Sequence, residues 1–258
     1  MQDNPRLGIT LMIATTIVFA VQDGISRYLA ENYNVITVVT IRYMFFMCFV
    51  LAYGSRQKGG IQQMASSDQL PLQIGRGLLL LAQICVAILS FSTLGLVNFH
   101  AVFASYPLMV MALSVPILGE AVGWRRWLAV CVGFCGVLLI LKPGTEMFNS
   151  ASILPVLAAF MMAIYGILTR YVARRDAAET SFFWTAIVGA VAITLIVPAA
   201  WNPPVGNDWW WMLLLCLAGV GGHFLLIKAF EIAEAGVLQP FAYFGIATSA
   251  AVGYFGFG

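Results

Sequence analysis

Apolar residues fall into nine long runs along the chain, separated by short polar breaks. The runs cover approximately residues 7–29, 34–53, 75–96, 100–118, 126–142, 152–172, 179–199, 209–229 and 237–257. A helix that crosses a bilayer needs about 20 apolar residues, which is near the length of each run. A membrane β-strand would instead show about ten residues of alternating polarity. The pattern predicts an all-α integral membrane protein.

Composition supports this class, because 61% of the residues are apolar and 9% are charged. A soluble domain carries about 25% charged residues. The N-terminal stretch "MQDNPRLG" has no basic segment or cleavage site of a signal peptide, so we expect the first run to remain as a membrane span. All five cysteines lie inside apolar runs, which argues against a disulfide framework and a metal site. We expect no cofactor.

Basic residues are distributed unevenly between the two ends of the predicted helices. With the N-terminus in the cytoplasm, the inner ends and loops hold Arg6, Arg56, Lys58, Arg76, Arg125, Arg126, Arg170, Arg174, Arg175 and Lys228. The outer side holds Arg27 and Lys142, and Arg42 lies within a span. An excess of Lys and Arg marks the cytoplasmic side. The bias predicts a multi-pass protein of the cell inner (plasma) membrane with a cytoplasmic N-terminus.

A short phrase near the N-terminus returns in the second half of the chain. Residues 20–30, "AVQDGISRYLA", align without gaps over residues 163–173, "AIYGILTRYVA", and Thr37 aligns over Thr180 at the same offset. Five spans precede the second copy, so the two copies would cross the membrane in opposite directions. Inverted repeats of this kind build many secondary transporters. The alternative is a chance likeness between two apolar helices.

Two longer segments carry a family resemblance. They are "ALSVPILGEAVGWRRWLAVCVGFCGVLLILKPG" at 112–144 and "AFEIAEAGVLQPFAYF" at 229–244, and they resemble the drug/metabolite transporter (DMT) superfamily, EamA type. The resemblance implies two inverted repeats of five transmembrane helices, both termini in the cytoplasm, and a central cavity. The repeats would be residues 1–144, with helices one to five, and 145–258, with helices six to nine. Nine helices are then visible, and the tenth of the family is missing.

Charges at membrane depth are the strongest candidates for function, because each costs about 2.5–3.5 kcal/mol to insert. Asp23 and Arg42 lie at matching depths on consecutive antiparallel spans, and Arg27 is one turn above Asp23. We predict a buried pair between Asp23 and Arg42 that serves substrate binding or proton coupling. The alternative is a structural pair that joins two helices. Gly166 and Thr185 take these places in the second half, so the fold itself does not demand the pair.

Polar and aromatic side chains in other spans are candidate cavity residues, because such groups at membrane depth face a cavity or bond across helices. The candidates are Gln22, Gln83, Tyr106, Tyr165, Trp184, His223 and Tyr243. Tyr165, Trp184, His223 and Tyr243 lie at similar depth, so we expect at least two of them to line one central cavity. Ordinary packing is the alternative for each aromatic residue.

The function expected from these features is secondary active transport of a small organic metabolite, such as a vitamin or a nucleoside-like or amino-acid-like solute, by alternating access. The first half, with the stretches "QDGISRYLA", "IRYMFF" and "RGLLLL", looks closest to uptake-type members of the family that handle S-adenosylmethionine or riboflavin-like solutes. An exporter of amino acids or drugs is an alternative in the same fold. An intramembrane enzyme lacks its usual motifs here, and a scaffold would need no buried charges. Expected partners are the substrate, the lipid bilayer and a coupling proton, without nucleic acid, in a monomer or weak homodimer.

Overall fold

The computed structural model describes residues 4–141, 153–196 and 201–257, all of whose regular elements are helices. The helices are α1 (Pro5–Asn32), α2 (Val35–Gly54), α3 (Gly60–Ala65), α4 (Leu70–Phe103), α5 (Tyr106–Leu113), α6 (Trp124–Leu141), α7 (Ile153–Val172), α8 (Ala178–Thr194), α9 (Asp208–Ile232), α10 (Ala235–Ala242) and α11 (Phe244–Phe257). A π-helical turn, Ser114–Leu118, continues α5. The ends of the predicted fifth and seventh spans, Lys142 and the predicted repeat boundary lie outside the described residues.

Two breaks divide the apolar helices. Within α4, Gly95 has φ 75° and ψ 159°, outside the helical region, and the chain reverses there. The second break separates α4 from α5 at Ala104 and Ser105, immediately before Pro107, whose missing N–H cannot continue a helical ladder. Residues 70–90 and 98–118 therefore form two spans, as the apolar pattern predicts.

Helix starts are fixed by local caps and by carboxylates from distant segments. The side chains of Asn4 and Asn34 accept hydrogen bonds from the first turns of α1 and α2. Glu231 Oε1 accepts from the backbone N–H of Ala178, at the start of α8. Glu120 accepts from the N–H groups of Ala235 and Gly236, at the start of α10, over 3.0 Å each. Glu120 thus anchors the start of α10.

Helices of the two halves pack against each other in an exchanged arrangement. The first helix of the first half, α1, lies along α9 of the second half. The first helix of the second half, α7, lies along α4 of the first half. The helices α2 and α8 cross each other between these pairs. An inverted repeat produces this exchange, since the two halves are related by an axis in the membrane plane.

Hydrogen bonds identify which loops share an end of the bundle. At one end, Asn4 N donates to Ile232 O over 2.9 Å, and Arg126 Nη1 lies 2.9 Å from a carboxylate oxygen of Glu234. This end, which also holds the loops at 55–69 and 173–177, is called the basic end below. At the opposite end, the Tyr33 hydroxyl donates to Asp208 over 2.6 Å, and this bond raises the pKa of Tyr33.

The outside of the bundle is apolar, as a lipid-facing surface requires. Large side chains such as Leu139, Val132 and Val191 are more than half exposed, and Trp209 to Trp211 are exposed at the opposite end. Among the described residues, six helical segments are long and apolar enough to span a membrane, and Ala178–Thr194 is a shorter apolar helix. The predicted all-α integral membrane fold is confirmed.

Candidate functional site

A cavity lies between the two halves, around the middle of the bundle. The open space that it borders is about 900 Å³, including solvent at its mouth, and its lining residues come from α1, α2, α4, α5, α7, α9, α10 and α11. Six of the nine predicted site residues line it: Gln22, Asp23, Arg42, Gln83, Tyr106 and His223.

Asp23 supplies a carboxylate to the cavity wall. Its Oδ2 lies 3.6 Å from Nε2 of His100, which comes from the segment just after the Gly95 reversal. The side chains of Asp23 and His100 are 21% and 11% exposed. Within the described residues Asp23 forms no ion pair with Arg42, so the predicted direct pair is wrong. Both side chains instead have Gln22 as a neighbour, which accepts a hydrogen bond from Arg42 and interacts with Asp23.

Arg42 is buried at 7% exposure and reaches the same cavity. Its Nη2 donates to Gln22 Oε1 over 3.2 Å, and the described residues offer this guanidinium no second hydrogen-bond acceptor and no carboxylate partner. A Cβ at Gly219 would lie 3.3 Å from Nη2, so glycine at this place gives the guanidinium its room. Because a guanidinium carries five N–H donors, most of those on Arg42 are available to a bound anion.

Aromatic rings form one wall of the cavity. Phe99 and Phe103 stack with their centroids 4.9 Å apart and an interplanar angle of 22°. Tyr106 continues the row, 5.0 Å from Phe103. On the facing wall, the Phe19 ring lies 5.1 Å from His223. These rings could take a flat ligand by offset stacking or edge-to-face contact.

Two uncharged polar side chains complete the wall. The amide of Gln83 is without a hydrogen-bond partner among the described residues, although the residue is only 6% exposed and lines the cavity. Both ring nitrogens of His223 are buried and likewise have no partner within the described part of the chain. Buried polar groups are normally hydrogen-bonded, so unsatisfied groups beside a cavity favour a polar ligand there.

Three predicted cavity residues do not line this cavity. Tyr165 accepts a hydrogen bond from Arg76 Nη1 over 3.1 Å, and Trp184 Nε1 donates to Ala65 O over 3.1 Å at the basic end. Tyr243 donates to the carbonyl of Ala104 over 3.1 Å and so satisfies a backbone group freed by the α4–α5 break. Of the four residues predicted to lie at similar depth, His223 is thus the one that lines this cavity. The expectation of two is wrong, because equal depth does not fix the helix face.

Sequence reasoning missed His100 and misplaced Arg76. The fourth span was predicted to begin at residue 100, which put His100 at the membrane surface. The third was predicted to begin at 75, which put Arg76 at the inner end of that span. In the structure α4 begins at Leu70 and turns at Gly95, so both residues lie within the bundle. Arg76 is fully buried. Pro71, at the first turn of α4, was the available signal for the earlier start.

Among the described residues, no group of three His, Cys, Asp or Glu side chains could hold a metal ion. The cavity offers instead one carboxylate, one guanidinium, several uncharged polar groups and a row of rings. This set of groups can bind an organic molecule that carries both signs of charge and a flat ring system.

Comparison with known proteins gives a consistent family match. The pattern of the EamA-like transporter family matches residues 6–142 and 149–258. An S-adenosylmethionine uptake transporter of Rickettsia bellii is 29% identical over 96% of this chain and 84% of its own. A riboflavin transporter of Vibrio cholerae is 26% identical over 99% of this chain and 86% of its own.

A solved crystal structure shares the fold. It superimposes with a TM-score of 0.75 at 17% sequence identity, over 97% of this chain and 88% of that one. At this identity the likeness concerns the arrangement of the helices alone.

Proposed function

The chain belongs to the EamA-like transporter family, and from this premise we propose that it takes up a small aromatic zwitterion of the S-adenosylmethionine type by alternating access. One observation carries the proposal: Asp23 and Arg42 face the same cavity without forming an ion pair with each other. Opposite charges held apart in a site of low dielectric constant favour a ligand that brings the complementary charges.

Each part of S-adenosylmethionine has a complementary group in the cavity. Its carboxylate matches the unoccupied N–H donors of Arg42, since planar guanidinium and carboxylate groups bind each other through two parallel hydrogen bonds. Its ammonium and sulfonium charges match the carboxylate of Asp23. Its adenine ring matches the row formed by Phe99, Phe103 and Tyr106.

A riboflavin-like solute is the second candidate. The row of rings and the free amide of Gln83 favour it, because they would bind a flat heterocycle with polar edges. The charged groups argue for the zwitterion, since a neutral flavin ring would leave the buried Arg42 with Gln22 alone.

Uptake into proteoliposomes tests the function directly. We expect saturable uptake of labelled S-adenosylmethionine, stimulated by an inward proton gradient, and weak competition by riboflavin. The physical reason is that riboflavin has no counter-charge for Asp23 or Arg42. Liposomes without protein and liposomes with heat-unfolded protein are the controls. Rapid riboflavin uptake without S-adenosylmethionine uptake would transfer the proposal to the second candidate.

The basic end is proposed to face the cytoplasm. In a cysteine-free chain, we expect Ser66→Cys, at the exposed basic end, to resist an impermeant thiol reagent in intact cells. Asn207→Cys, exposed at the opposite end, should react rapidly and is the matched control. The reverse labelling pattern would invert the topology.

A further inference from the structure

Arg42 and its neighbours have a counterpart in the other half of the molecule. The repeat sets each residue of the first half against the residue 143 positions later, as in the "ISRYLA" and "LTRYVA" segments. At this offset Gln22 corresponds to Tyr165, and Arg42 corresponds to Thr185. The same offset pairs Arg76 with Gly219. These six residues form two clusters of three, each with two residues from one half and one residue from the other.

Contacts within the two clusters repeat each other. In the first, Arg42 donates to Gln22, and Gly219 lies against both, since a Cβ there would be 3.3 Å from Arg42 Nη2 and 3.5 Å from Gln22 Oε1. In the second, Arg76 donates to Tyr165 over 3.1 Å and to Thr185 over 2.8 Å. Each cluster therefore joins the same three repeat positions around one guanidinium, which α2 supplies in the first cluster and α4 supplies in the second.

Depth in the membrane follows the same symmetry. Arg42 is seven residues from the start of α2 at the opposite end, about 10 Å along the helix axis. Arg76 is six residues from the start of α4 at the basic end, about 9 Å along its axis. The two guanidiniums thus lie at mirrored depths on either side of the bundle centre.

The two clusters differ in what surrounds the guanidinium. Arg42 lines the open cavity and keeps most of its donors free. Arg76 is fully buried and donates to Gln73, Tyr165, Thr169, Thr185 and the carbonyl of Ser181. All these partners are neutral, and Asp176 is joined to Arg76 only through the amide of Gln73. A buried cation without an adjacent carboxylate is costly and marks a functional site in a membrane protein.

We propose that Arg76 forms a second anion-binding site, which takes the substrate carboxylate when the cavity opens toward the basic end. The proposal rests on the proposed transport function, because inverted repeats exchange conformations when access alternates. In that exchange the cluster of Arg76, Tyr165 and Thr185 becomes the open one, and the Arg42 cluster closes. The neutral partners of Arg76 are then replaced by the carboxylate of the substrate.

Charge-selective labelling tests the site without reference to any substrate. In the cysteine-free chain, Thr185→Cys places a thiol beside the Arg76 guanidinium. We expect it to react from the basic end with an anionic methanethiosulfonate at least about tenfold faster than with a cationic one, because the guanidinium attracts the anion. Arg76→Lys should keep this preference and Arg76→Gln should abolish it. Arg56→Gln, which removes an exposed charge from the same end, should leave it unchanged.

Transport kinetics separate this inference from the proposed function. Arg76→Gln is expected to raise the half-saturating concentration of S-adenosylmethionine at the basic end about tenfold, and to leave that of its decarboxylated analogue unchanged. Should wild-type protein carry S-adenosylmethionine while Thr185→Cys never reacts from the basic end, the second site is overturned and the transport function stands. Charge-selective labelling without transport of S-adenosylmethionine would support the anion site and overturn the proposed substrate.

Discussion

Arg42→Gln is expected to lower kcat/KM for S-adenosylmethionine uptake about 100-fold. Removing one partner of a buried hydrogen-bonded charge pair costs about 2–5 kcal/mol, and about 1.4 kcal/mol corresponds to a factor of ten. Glutamine can still meet Gln22 through its amide, so the variant isolates the loss of charge. The measurement is initial uptake into proteoliposomes over a range of substrate concentrations.

Two comparisons make the Arg42 result specific to the carboxylate. Arg42→Lys keeps the charge but loses the planar two-donor geometry, so we expect a smaller loss, about tenfold. Arg6→Gln removes an exposed charge far from the cavity and is the matched control. If Arg42→Gln lowered kcat/KM equally for the decarboxylated analogue, Arg42 would not bind the substrate carboxylate.

Asp23→Asn is expected to abolish stimulation of uptake by a proton gradient and to lower uptake about 30-fold. Asp23 is the carboxylate that the described residues place in the cavity wall, and His100 Nε2 is 3.6 Å away. A carboxylate can take up and release a proton, whereas asparagine cannot. Uptake is measured with and without an imposed gradient, in parallel with substrate exchange at equal pH.

The exchange assay distinguishes coupling from substrate binding. If Asp23 carries the proton, exchange at equal pH should persist in Asp23→Asn. Glu31→Gln, which removes an exposed acid from the same helix, should behave as wild type. Since Asp23 and Arg42 are not directly paired, combining Asp23→Asn with Arg42→Gln should bring no recovery of expression. A gradient response of wild-type size in Asp23→Asn would remove Asp23 from the coupling mechanism.

The sequence predicted the helices well because burial in lipid requires long apolar runs, and these runs are visible without any tertiary information. Its errors arose at the ends of two runs. "QLPLQIGR" reads as polar up to residue 75, yet the helix begins at Leu70 and carries Arg76 into the bundle. His100 was assigned to a surface because the reversal at Gly95 was not recognised. A start of α4 about five residues earlier, close to one and a half helical turns, and the unrecognised reversal thus changed two roles.

The side of the helix on which a residue lies was harder to predict than its depth in the membrane. The predicted spans contain Tyr165, Trp184 and Tyr243, but the pattern of each helix does not indicate the partner of its residue. Tyr165 bonds to Arg76, Trp184 to the carbonyl of Ala65, and Tyr243 to the carbonyl of Ala104. Asp23 and Arg42 were correctly recognised as buried charges, whereas their partners depend on the three-dimensional arrangement of α1, α2 and α4. Composition and the apolar pattern show that a polar side chain lies within the bundle. Its contacts are decided by how the helices pack.

The two carboxylate caps impose an order in time on the assembly of the helices. Glu120 precedes α10 by 115 positions, so the acceptor for Ala235 N–H is already present when that helix leaves the ribosome. Glu231 follows Ala178 by 53 positions, so the first turn of α8 waits for its acceptor until α9 has been synthesised. The start of α8 is therefore completed late during synthesis, and the start of α10 can be completed as soon as it emerges.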